Sequence, residues 1–188
     1  MALLIAGVVF WGIVHLMPAI APGVRASLAA KLGEGPFKGL FAVDIIIALA
    51  LIVFGWKAAS PTMLYVPPLY GSPIPSALLA LAVLLFVASN TPNNLKRYVR
   101  HPQMAAVLLW SIAHLLSNGD SRSVVLFAGL GLWSGLEILF INRRDGKWQK
   151  PAAAALANDL VTVVLAILVF TGLVYFHAAL FGVAAIPA

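Results

Sequence analysis

The chain has 188 residues, of which 62% are hydrophobic and only 10% are charged. A soluble domain carries about a quarter charged residues, so this composition excludes an ordinary water-soluble protein. The sequence contains no cysteine, which excludes disulfides, thiolate metal sites and a cysteine nucleophile.

Apolar stretches follow one another along nearly the whole chain. A helix that spans a membrane needs about 20 apolar residues, with roughly 17 as a lower limit. Six stretches meet or approach this length, and they predict an all-α bundle of six transmembrane helices in a single domain over residues 1–188. The predicted helices cover residues 2–20, 37–59, 74–89, 102–117, 123–141 and 158–181. The third and fourth are short and must extend into their flanks or cross a thinner bilayer.

The first apolar stretch is predicted to be a retained helix and not a cleaved signal peptide. A signal peptide begins with a basic region, whereas the first basic residue here is Arg25, behind the apolar run. Basic residues in that position hold the adjoining end of the helix in the cytoplasm.

Proline and glycine residues mark the connections between the predicted helices. Pro18, Pro22 and Gly23 predict that the first helix ends there and that a loop leads to the second. The segment 60–75 holds five prolines and two tyrosines, which predicts a loop at the level of the lipid headgroups. The run Asn118-Gly119-Asp120 is expected to close the fourth helix.

The basic residues predict the orientation of the chain. Ten of the 12 Lys and Arg residues lie in the loops after the first, third and fifth predicted helices, and the other two are Lys57 and Arg122. The ten are Arg25, Lys31, Lys38, Lys96, Arg97, Arg100, Arg143, Arg144, Lys147 and Lys150. By the positive-inside rule these loops are cytoplasmic and both termini are non-cytoplasmic. This placement accounts for the net charge of +6 without a nucleic-acid partner, and it predicts a multi-pass membrane protein.

Ionisable residues inside the apolar stretches are costly in lipid and are therefore candidates for a functional site. They are His15, Asp44, His114, Glu137, Asp159 and His177. The simpler interpretation of Asp159 is an acid in the first turn of a helix. Glu137 is expected to reach the interface or to pair with Arg143 or Arg144, and Asp44 to pair with His15.

His114 and His15 are the strongest of these candidates. His114 shares a helix face with Gln103 and Trp110, and His15 shares one with Trp11, by steps of three and four. Two intramembrane histidines on different helices suit axial ligation of haem, although each is also compatible with a hydrogen-bonded packing role. Their depths along the helices differ by about 10 Å, whereas two axial ligands must face each other across one iron. The alternative ligand set is therefore His114 alone, or His114 with His177.

A series of short motifs resembles one family of membrane proteins. The residues are Arg100-His101-Pro102-Gln103, Leu109-Trp110, Ala113-His114-Leu115 and Asn118-Gly119-Asp120, with His15-Leu16, Pro18, Pro22, Arg25, Leu28 and Leu32-Gly33-Glu34 near the start. They resemble the NnrU family, small helical membrane proteins of bacteria named for a link to nitrite and nitric oxide metabolism.

That family is similar to 15-cis-zeta-carotene isomerase, a haem b enzyme in which two histidines are implicated as iron ligands. The resemblance therefore implies that His15 and His114 hold haem b. Further residues implied at the cofactor are His101, Arg100, Gln103 and Trp110. It also implies a gas or a hydrophobic polyene as substrate and, if the protein is an enzyme, a haem-dependent isomerase.

Two other functions remain open from the sequence. One is a non-enzymatic transport or assembly factor for nitrogen-oxide respiration, which would bind no cofactor. The other is a methyltransferase of the isoprenylcysteine carboxyl type, suggested by Arg100-His101-Pro102. The acidic pair that follows the last basic loop in those enzymes is absent here, so this alternative is the weaker one.

Overall fold

The computed structural model describes residues 1–185, and within that range the chain is helical without a β-strand. The predicted all-α class is therefore confirmed for this part of the chain. The helices are α1 (Ala2–Ile20), α2 (Pro22–Leu32), α3 (Glu34–Ala58), α4 (Pro73–Asn90), α5 (Pro102–Ser117), α6 (Ser121–Asp145) and α7 (Leu156–Phe181), with a 3-10 turn at Leu95–Arg97.

Five of these helices, α1, α3, α4, α6 and α7, are long and apolar enough to cross a membrane. The fourth predicted span, 102–117, corresponds to α5, an apolar helix of 16 residues. The predicted ranges 2–20 and 102–117 coincide with α1 and α5. The others differ at their ends, because α3 begins at Glu34 and α6 continues to Asp145, where charged residues follow the apolar run.

The predicted loop after the first helix is wrong, because α2 occupies most of it. Pro22 opens this helix, and proline is well tolerated there because the first helical N–H groups have no intrahelical partner. Pro22 also cannot donate to the carbonyl of Pro18, four residues earlier. The Arg144 guanidinium donates to that carbonyl instead, at 3.3 Å.

The chain forms two compact units. The first unit comprises residues 1–66 and 118–147, and within it α1 packs against α3 and α6 while α2 packs against α1 and α3. The second unit comprises residues 67–117 and the segment from Trp148 onward, and within it α4 packs against α5 and α7.

In the first unit, α1 and α3 approach at backbone distance. A Cβ atom on Gly7 would lie 2.7 Å from the backbone nitrogen of Ile52, and one on Gly55 would meet the backbone of Leu4 still more closely. Leu4, Val8 and Ile52 form the buried core beside these glycines. Small residues at a helix crossing allow this approach, which is the main source of packing energy between helices in lipid.

A clasp of backbone hydrogen bonds joins residues 62–65 to residues 118–121, and we call it the Gly119 clasp. The N–H groups of Leu64 and Tyr65 donate to the Gly119 carbonyl, and the Tyr65 hydroxyl donates to the Asn118 carbonyl at 2.8 Å. Burial, and then the Asp120 carboxylate, raise the pKa of Tyr65, a phenol that is already protonated and able to donate at neutral pH. Asp120 also accepts from the N–H of Ser123 and thereby caps α6. The run Asn118-Gly119-Asp120 ends α5 as predicted and starts α6 as well.

A second clasp, which we call the Asn94 clasp, holds the connection between α4 and α5 against the start of α7. The backbone N–H and the side-chain amide of Asn94 each donate to the Asp159 carboxylate at 2.7 Å. The same amide exchanges hydrogen bonds with the backbone of Ala154. Asp159 is a first-turn acid of α7, as predicted, and its partner is Asn94.

Candidate functional site

His15 lies on α1, and the helix itself determines which of its ring nitrogens carries the proton. Its Nδ1 lies 2.9 Å from the carbonyl oxygen of Trp11, four residues earlier. A carbonyl can only accept, so Nδ1 is the donor and the lone pair of the neutral ring is on Nε2. No hydrogen bond to this Nε2 is formed within the described residues 1–185.

Three aromatic rings surround the imidazole of His15. The Trp11 ring stacks on it with centroids 4.1 Å apart, while Trp133 and Phe41 approach edge-on at 5.1 and 5.9 Å. Trp11 and Trp133 also meet edge-to-face at 5.6 Å. Three helices of the first unit, α1, α3 and α6, therefore build one aromatic cluster, which we call the His15 cluster.

Polar atoms without partners are concentrated beside this cluster. The indole nitrogens of Trp11 and Trp133 and the Oε2 atom of Glu137 are buried without a hydrogen-bond partner in the described part of the chain. Glu137 lies one helical turn after Trp133. The predicted pairing of Glu137 with Arg144 is not formed as a salt bridge, because the Arg144 guanidinium bonds to Asp145 at 2.7 Å. Each buried polar atom left unpaired costs about 1–3 kcal/mol.

His114 on α5 repeats the arrangement in the second unit. Its Nδ1 lies 2.9 Å from the carbonyl oxygen of Trp110, again four residues earlier, and the two rings are 5.0 Å apart. His177 on α7 belongs to the same unit and is near enough to His114 to interact with it electrostatically. The Nδ1–H of His177 donates to the Val183 carbonyl at 2.7 Å. The chain turns back over the helix end at Gly182, which has a φ of 77°, and this turn places the carbonyl within reach.

The other predicted site residues lie at the opposite end of α5. His101 and Arg100 directly precede the helix, and the His101 carbonyl accepts the N–H of Ala105. Gln103, in the first turn, is exposed. His101 and Gln103 are roughly 16–20 Å along the helix axis from His114. Trp110 is thus a predicted companion of His114 that does lie in ring contact with it.

Asp44 was expected to pair with His15, but the two side chains do not pair. Its side chain is half-buried, and no hydrogen bond or ion pair joins it to the histidine within residues 1–185. The imidazole bonds to the Trp11 carbonyl instead. The nearest contribution of α3 to His15 is the ring of Phe41, one turn before Asp44.

The structure thus assembles two histidine sites, one in each unit. The first contains His15 and the second contains His114 with His177. Trp133 and Phe41 were not predicted from the sequence to be neighbours of His15. One local signal was available, since both Trp11-His15 and Trp110-His114 show a tryptophan four residues before the histidine, but it reports only the Nδ1 hydrogen bond.

Comparison with known proteins supports the family suggested by the motifs. A family model described as NnrU protein matches residues 3–185, nearly the whole chain. Neither the curated proteins nor the solved structures gave a match.

Proposed function

The chain belongs to the NnrU family, and we propose that it binds haem b through the imidazoles of His15 and His114. The proposal extends to a role in nitrite and nitric oxide metabolism or in the cis–trans isomerisation of a polyene, in the inner membrane of a bacterium. Six spans with both termini on the non-cytoplasmic side complete the proposed arrangement.

One observation carries the haem proposal. His15 and His114 each donate Nδ1–H to the carbonyl of a tryptophan four residues earlier, at 2.9 Å. This bond leaves the lone pair on Nε2 and holds the orientation of the ring, which is how a histidine that binds a metal is usually prepared by its surroundings. Neutral imidazole is also the usual protein ligand of haem iron.

The donor set suits haem better than a metal cage built only from protein ligands. Within the described residues, no group of three or more His, Cys, Asp or Glu side chains is placed to hold a metal ion, whereas a structural zinc site needs four ligands. The His15 cluster presents one imidazole among the flat rings of Trp11, Trp133 and Phe41, an apolar setting that suits a porphyrin. Bound haem would supply an iron centre for a small gas or for rotation about a polyene double bond.

An absorption spectrum of the detergent-purified protein tests the proposal. We expect a Soret band from protein made in haem-supplied cells. His114→Ala and His15→Ala should each abolish or shift the band, and added imidazole should restore it by entering the vacated space. The His177→Ala variant identifies the partner of His114, because it should leave the spectrum unchanged if the partner is His15.

Two results would contradict the proposal. A colourless protein from haem-supplied cells would do so, and would favour the non-enzymatic transport or assembly role. A Soret band that persists in both the His15→Ala and the His114→Ala variants would show that the haem is held elsewhere.

A further inference from the structure

A groove of about 460 Å³ runs along the seam between α1 and α6, within the first unit. Every residue that lines it is apolar or glycine, including Val9, Gly12, Leu16, Leu132 and Trp133. Both helices are long and apolar enough to be membrane spans. These apolar walls suit a hydrocarbon environment, in which an ion would lose its hydration without gaining a partner.

Trp133 belongs both to the groove and to the His15 cluster. It lines the groove, and its ring also lies 5.1 Å from that of His15. Trp133 is 7% exposed, and its indole nitrogen is buried without a hydrogen-bond partner within residues 1–185.

Gly12 keeps the groove open on the α1 side. A Cβ atom added at Gly12 would have no atom within 4 Å, whereas one added at Gly129, across the groove on α6, would collide with the side chain of Val8. The two helices are thus in close contact at Gly129 and leave free space at Gly12. Gly12 is one turn before His15, so this space lies at the depth of the His15 cluster.

We propose that this groove is the lateral entrance through which an uncharged, lipid-soluble molecule approaches His15, and that Trp133 separates the groove from the histidine. The apolar walls select against charge, and the position of Trp133 controls whether the molecule reaches the imidazole. The inference takes His15 as the ligand-binding residue and so rests on the proposed function.

A hydrocarbon probe carrying a photoreactive diazirine tests the entrance in protein that has not been loaded with haem. In nanodiscs we expect saturable labelling of α1 and α6 at the groove, mapped by mass spectrometry. Gly12→Leu adds a side chain whose Cβ meets no atom within 4 Å. It should occupy part of the groove and weaken labelling by about tenfold, as expected for the loss of contact with about two methylene groups. Gly135→Leu is the matched control, since it adds the same side chain to α6 at a position that faces open space outside the groove.

Trp133→Leu tests the separating role. The smaller side chain should increase the labelling of Phe41 and His15, which are only partly exposed in the unaltered protein. Equal labelling of the Gly12→Leu variant and the unaltered protein would overturn the entrance, and so would labelling that never saturates, which marks contact with bulk lipid only. Labelling that stays the same in Trp133→Leu would overturn the role of Trp133.

The haem-loaded protein provides the second measurement. After flash photolysis of its ferrous carbon monoxide complex, Gly12→Leu should slow recombination of the gas by a similar factor, and Gly135→Leu should not. A missing Soret band would contradict the proposed function, while the labelling experiment would still decide on the groove. A normal band with unchanged labelling and recombination would overturn the groove alone.

Discussion

At His15 and His114, a spacing of four residues determines the chemistry of the ring. In an α-helix the residue four positions earlier lies one turn below, so the imidazole reaches the carbonyl of Trp11 or Trp110 at 2.9 Å. The indole of the same tryptophan contacts the imidazole, at 4.1 Å for His15 and 5.0 Å for His114. Each tryptophan thus sets the tautomer through its backbone and confines the ring through its side chain.

Gly119 shows how a motif residue can serve the fold. A Cβ atom there would collide with the backbone carbonyl of Tyr65, and backbone cannot yield as the end of a flexible side chain can. We expect Gly119→Ala to lower the free energy of unfolding by about 1–3 kcal/mol through overpacking, measured by thermal unfolding in detergent. Gly135→Ala is the control and should be neutral or slightly stabilising, because glycine is the weaker helix former. Equal stability of the two variants would contradict the clasp.

At the scale of elements, the connections carry more structure than their prolines and glycines suggest. The segment between α1 and α3 folds as α2 because Pro22 opens a helix. Pro22 has no N–H to donate to the Pro18 carbonyl, and the guanidinium of Arg144, at the end of α6, donates to it instead. The segment between α4 and α5 is held to α7 by the Asn94 clasp. Few residues of α7 are buried, so this contact and the 2.8 Å hydrogen bond between the Thr91 and Thr162 hydroxyls hold the start of the helix.

Replacing Asn94 tests the second clasp. Asn94→Ala removes the side-chain bonds to Asp159 and Ala154 and leaves these groups partly unsatisfied. We expect a loss of about 1–3 kcal/mol in the free energy of unfolding and faster proteolysis near residues 150–158. Asn90→Ala is the matched control, since the Asn90 amide bonds only within its own helix, to Ser89 and the Phe86 carbonyl. If Asn94→Ala is no less stable than Asn90→Ala, the clasp does not hold α7.

For the whole molecule, the distribution of basic residues gives a testable orientation. The chain has no cysteine, so a single introduced thiol can be labelled without background. In intact spheroplasts a membrane-impermeant maleimide should label Val66→Cys, and it should label Lys31→Cys and Lys147→Cys only after lysis. Val66 is highly exposed in the loop before α4. Lys31 lies in the last turn of α2 and Lys147 follows the end of α6, in two of the connections where basic residues concentrate. The reverse pattern would contradict the positive-inside assignment.

The sequence by itself determined the helical class, the extents of α1 and α5 and the family, because hydropathy, helix stop signals and short motifs are local properties of the chain. It also identified His15 and His114, since an ionisable residue in an apolar run needs no structure to be noticed. Only the tertiary structure decided that Trp133 and Phe41 join His15 and that Asn118-Gly119-Asp120 clasps Tyr65. Those contacts connect distant parts of the chain, and their geometry depends on how the helices cross. The periodicity of a single helix does not indicate which of its faces packs against which neighbouring helix.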